Sequence, residues 1–158
     1  MEFESPHVAE HHEKLGRYLQ ELFEDLYLDP DNGHFYVGYG STVLEVSAEP
    51  YGPEDSVVRV TAYCVQGVEL EEDLALGLLE LNHELPVGAF SLVGQDVFFS
   101  HTLFGRSLDR HNLLGTIAAV ATVSDDYDER IVERFGGATA LELIRETGGR
   151  RQRQARKD

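Results

Sequence analysis

Apolar side chains recur along this chain with two different periods, and the places where the period changes mark out its elements. From residue 8 to 26, Leu15, Tyr18, Leu19, Leu22, Phe23 and Leu26 follow the i, i+3, i+4 spacing of an amphipathic helix, with Ser5-Pro6 as its start. Asp29-Pro30-Asp31-Asn32-Gly33 breaks that period with turn residues. From His34 the period becomes two. Phe35, Tyr36, Val37 and Tyr39 make a short aromatic strand ending at Gly40-Ser41, a two-residue hairpin signal. A second strand alternates Thr42, Leu44, Val46 and Ala48 against Val43, Glu45 and Ser47, and Pro50, Gly52 and Pro53 form a looser turn. A third strand, from Ser56 to Val65, puts Val58, Val60, Ala62 and Cys64 on one face and a mixed set on the other, so one face is core and the other only partly covered.

The second half repeats this logic. Glu71-Glu72-Asp73 opens a helix whose stripe is Leu74, Leu78, Leu81 and Leu85, and Pro86 ends it. Leu76 and Leu79 fall outside the stripe, so this helix needs a second apolar partner, and a homodimer through those two residues is expected. Ala89 to Val93 and Asp96 to Phe104 read as strands joined by Gly94-Gln95. The longest helical period follows, from Ser107 to Gly137, with Leu113, Leu114, Ile117, Val120, Ala121, Tyr127, Ile131 and Phe135 along it. Ser124-Asp125-Asp126 inside it can recap the helix after a kink, and Gly136-Gly137 supply its stop. A short helix from Thr139 to Glu146 comes last. The order α-β-β-β-α-β-β-α predicts an α+β fold, one antiparallel sheet packed with helices.

Size and charge narrow the function classes. A chain of 158 residues is expected to form one domain, residues 1–148, able to bury roughly 70% of its unfolded surface without disulfides. The single cysteine, Cys64, lies in a strand-like run and reads as a small buried apolar residue. The formal net charge of −16 is unevenly spread: residues 1–144 carry −20 and residues 145–158 carry +4. A body so acidic repels nucleic acid and anionic membrane, and the basic end, residues 149–158, reads as a disordered tail. No apolar run approaches the roughly 20 residues of a membrane span, so a cytoplasmic protein is expected.

Catalytic chemistry finds little support in the spacing. His7 and His11 stand four apart but lack the adjacent glutamate and a third ligand. The Asp29 to Gly33 turn resembles a calcium loop whose glycine comes one position early and whose closing glutamate is replaced by Gly40. Gly38-x-Gly40 leads into a strand, so no helix N-terminus is there to hold a phosphate. Asp125, Asp126, Asp128 and Glu129 could form a metal-dependent acid-base cluster, and early-turn carboxylates beside Ser124 serve helix capping equally well. No cofactor is expected.

Gly88-Ala89-Phe90-Ser91-Leu92, Val97-Phe98-Phe99-Ser100-His101-Thr102-Leu103, Ser124-Asp125-Asp126-Tyr127-Asp128 and Arg134-Phe135-Gly136-Gly137 together resemble the YbjN family, similar in fold to the class I chaperones of type III secretion. The resemblance runs from the first helix to Gly137. It implies a small acidic protein without enzymatic activity, commonly dimeric, that binds an extended peptide of a client protein. Two rivals are a regulatory module acting on a signalling partner and a metal enzyme built on residues 125–129. In a meander the strand Phe35 to Tyr39 falls at a sheet edge, so Phe35, Tyr36, Val37 and Tyr39 are the expected peptide-binding residues, by strand addition. The alternative is that these aromatics fill the core beneath the first helix.

Overall fold

The structure, a computed structural model, describes residues 3–147. The basic tail from residue 149 lies outside the described residues. Its elements are α1 (Pro6–Leu22), β1 (Leu26–Leu28), β2 (Phe35–Tyr39), β3 (Thr42–Tyr51), β4 (Asp55–Gln66), α2 (Glu72–Glu84), β5 (Ala89–Val93), β6 (Asp96–Phe104), a 3-10 turn at Gly105–Ser107, α3 (Arg110–Phe135), β7 (Ala138–Thr139) and α4 (Ala140–Thr147). The strands form one antiparallel sheet in the order β1-β2-β3-β4-β6-β5, and β7 pairs with the end of β4. This is the α+β fold that the alternation of periods predicts.

Register decides which face is core. Val37, Leu44, Ala62 and Phe99 stand opposite one another across β2, β3, β4 and β6, and Phe35, Val46 and Val60 form a second row. All of these are buried. Leu15 and Leu19 of α1 and Leu113, Ile117, Val120 and Ala121 of α3 complete the same cluster, so both helices lie on this face. The opposite face carries Tyr36, Glu45, Arg59, Tyr63 and Phe98, and several of these are only half-buried.

The local reasons for the elements are visible at their ends. Ser5 caps α1, its Oγ accepting the Val8 N–H at 3.3 Å, and Pro6 stands in the first turn, where no N–H is needed. Gly40 at φ +59° and Gly94 at φ +60° open the two-residue hairpins, which positive φ at the first turn position requires. Asp109 caps α3 through the Asn112 N–H at 2.7 Å. At α4, Thr139 and Glu142 make a reciprocal capping box, with the Thr139 N–H to Glu142 Oε2 at 2.7 Å and the Glu142 N–H to Thr139 Oγ1 at 3.2 Å.

Three expectations need correction. α1 ends at Leu22, and Leu26 belongs to the three-residue strand β1, which lies outside β2 in the sheet. The sheet edge expected at Phe35 to Tyr39 is therefore occupied by β1 over Phe35, Tyr36 and Val37. α3 runs unbroken through Ser124, which is buried, with its carbonyl accepting the Cys64 Sγ–H at 3.6 Å. No recapping occurs there.

Candidate peptide-binding edge

β1 exists because Leu26-Tyr27-Leu28 alternates between breakers and finds a partner in β2, with Leu26 opposite Val37, Tyr27 opposite Tyr36 and Leu28 opposite Phe35. The turn that follows is braced by Asp29. Its N–H donates to the His34 carbonyl at 2.9 Å, its carbonyl accepts the Gly33 N–H at 2.8 Å, and its Oδ1 accepts the Asp31 N–H at 2.9 Å. Asp29 is fully buried and its Oδ2 has no hydrogen-bond partner. Because Asp29 bonds to His34, the antiparallel alternation makes Tyr27 and Tyr36 the next bonded pair. Leu26 and Leu28 then turn their N–H and C=O groups away from the sheet, toward solvent.

The side chains at this edge divide by face. Leu28 and Tyr39 lie on the helix-bearing face at 41% and 37% exposure, whereas Phe35 and Val37 between them are core, at 3% and 0%. Tyr36 is also buried, on the other face. Of the four residues expected to bind peptide, three thus form the wall behind the edge, and Tyr39 alone is exposed at it. Leu26 and Leu28 were missed because Leu26 is in phase with the α1 stripe; the available signal was Leu-Tyr-Leu alternation bounded by Asp25 and Asp29-Pro30.

A polar cluster ties the three neighbouring strands together on the face opposite the helices. Glu45 of β3 accepts hydrogen bonds from His34 Nδ1 at 2.6 Å, Tyr63 OH at 2.6 Å and Tyr36 OH at 3.2 Å. The Glu45 hydrogen bond raises the His34 pKa above its ordinary 6.5, helped by the charges of Glu45, Glu49 and Asp29. Burial alone would raise the Glu45 pKa, but the hydrogen bonds from His34 and Tyr63 hold it below the ordinary carboxylate value. Burial pushes the Tyr36 hydroxyl up to about 12, and burial with the Glu45 contact raises Tyr63 further. Both phenols therefore remain donors throughout the physiological range.

The remaining candidates have structural roles. Asp125 Oδ1 accepts from Thr42 Oγ1 at 2.5 Å and from Ser41 Oγ at 3.3 Å, fastening the β2-β3 hairpin to α3, while Asp126 is exposed. Asp128 Oδ1 accepts the Glu129 N–H at 2.6 Å, and burial lifts its pKa to about 6. His11 Nδ1 meets Ser56 Oγ at 2.5 Å, and His12 stacks on Phe35, so the histidines of α1 do not converge. Among the described residues no group of three or more His, Cys, Asp or Glu side chains is placed to hold a metal. Burial raises the Cys64 thiol to about 12, which keeps it protonated and inert. On α2, Leu74 and Leu78 are buried whereas Leu76 and Leu79 stand 50% and 66% exposed.

α1 and α3 thus lie on one face of a single sheet whose β1 edge is short and flanked by exposed carboxylates. The sequence profile described as T3SS (YopN, CesT) and YbjN peptide-binding chaperone 1 matches residues 9–143, and the chain belongs to that family. As a member of that family it is a chaperone-like protein that binds peptide or protein clients. Among solved structures it is similar in fold to a chain in the crystal structure of the ExsC-ExsE complex, with a TM-score of 0.61 and 13% identity over 78% of this chain and 95% of that one. No curated protein matches the chain significantly. Among the described residues no helix is long and apolar enough to cross a membrane.

Proposed function

We propose that a client docks as an extended, cationic segment that adds to the sheet beside β1. The observation that carries this reading is the outward turn of the Leu26 and Leu28 backbone beside three exposed carboxylates, Glu24, Asp25 and Asp31. The backbone groups supply ladder hydrogen bonds to any sequence, and the carboxylates favour one with Lys or Arg. Leu28 and Tyr39 offer apolar contacts to alternate side chains of the added strand, and Phe35, Tyr36 and Val37 support β1 from behind. A second copy of the chain meets α2 at Leu76 and Leu79, giving a homodimer with two client edges. The buried, free Cys64 fits a cytoplasmic setting.

Leu28→Pro tests the strand addition. Proline removes an N–H that faces away from β2, so the sheet keeps its own ladder and the melting temperature is expected to stay within about 3 °C. Affinity for an alternating valine-arginine octapeptide is expected to fall at least about tenfold, since a backbone hydrogen bond and the strand's fit are both lost. Unchanged affinity in the folded variant removes β1 as the site.

A further inference from the structure

The other end of the sheet poses a problem that β1 does not. β5 reads Ala89-Phe90-Ser91-Leu92-Val93, five residues with no charge and no proline, and Val93 is 64% exposed. An uncharged, apolar edge strand of that length is a template for pairing with another chain, and proteins usually blunt such edges with charge, proline or a covering element. Here a single side chain from the neighbouring helix does so. Asn82 of α2 accepts the Phe90 N–H at 2.6 Å through Oδ1 and donates to the Phe90 carbonyl at 3.1 Å through Nδ2.

Both polar groups of Phe90 thus turn away from β6, as alternation requires of a pair, Phe90 and Phe99, that does not exchange ladder bonds. The carboxamide reproduces the donor and acceptor that an added strand would present. One position of the same parity toward α2 is Gly88, and its N–H is taken by His101 Nδ1 at 3.1 Å. That leaves Leu92 as the outward-facing residue of β5 whose backbone a second strand could use.

We propose that Asn82 is the latch that closes the β5 edge, so that this edge does not pair with another chain. The occupant it excludes is the β5 strand of a second copy, which would pair antiparallel across a two-fold axis. The inference rests on the fold alone and goes beyond the peptide reading, since neither the latch nor its failure involves a client.

The test uses the full chain and no ligand. In Asn82→Ala the Phe90 amide is expected to exchange with solvent on the order of tenfold faster than in the wild type, while the Ser91 amide, which faces β6, keeps its protection. Light scattering across a concentration series is expected to show this variant growing beyond the wild-type mass. Asn82→Ala combined with Leu92→Pro removes the second of the two outward N–H groups that an added strand would need and is expected to return to the wild-type mass. An Asn82→Ala chain that keeps the wild-type mass at every concentration overturns the proposal. So does growth that Leu92→Pro fails to reverse, because association through general unfolding would not depend on that N–H.

Discussion

Glu45 accepts hydrogen bonds from three side chains, and these partners give the protein a pH-dependent stability. The His34 pKa is raised by its hydrogen bond to Glu45, so this contact stabilises the native state fully below the ordinary histidine value near 6.5. The contribution fades as pH rises through the higher native pKa. His12, stacked on Phe35, works in the opposite direction: burial and the His34 charge lower its pKa, so its contribution is lost as pH falls below the same region. The two effects separate in a His34→Gln variant. Its deficit relative to the wild type is expected to be largest near pH 6 and to shrink toward pH 8, read as urea midpoints at each pH. A deficit independent of pH would mean that His34 acts through packing. None of this was legible in the sequence, because His34, Tyr36, Glu45 and Tyr63 are brought together by strand register, and a lone glutamate on the outer face of a strand gives no sign of its neighbours.

At the scale of elements, the long periodic segments were readable and the short pairings were not. β5 and β6 appear at the bounds their alternation predicts, and α2 and α3 turn their apolar stripes inward except at Leu114, which is 40% exposed. β1 was obscured because three residues alternate too briefly to stand out and Leu26 continues the stripe of α1. β7, at two residues, carries no period at all and exists through its pairing with Val65 and Gln66. The latch on β5 left a faint trace. Asn82 stands four residues after Leu78 on the buried side of α2, where a polar side chain has to find a partner. The exposed side of α2 makes its own prediction. Light scattering at micromolar concentration is expected to give twice the 17.7 kDa chain mass, and Leu76→Glu is expected to shift the population toward monomer with little loss of thermal stability. A monomeric wild type removes the dimer, and so does a dimer indifferent to Leu76→Glu.

For the whole molecule, what matters is that the two ends of one sheet differ. β5 is latched by the Asn82 side chain, whereas β1 is short, charged at its flanks and open, beside a helix-bearing face that offers Leu28 and Tyr39. The acidic body adds a long-range bias toward cationic segments, and that bias weakens with salt, since its range is about 8 Å at physiological ionic strength. The most direct test is residue-resolved amide exchange of the wild-type chain, alone and with a saturating alternating valine-arginine octapeptide, against its valine-glutamate counterpart. The account predicts new protection at the Leu26 and Leu28 amides with the cationic peptide, none with the acidic one, and no change along β5. Protection that appears on β5, or that leaves Leu26 and Leu28 as exposed as before, contradicts it.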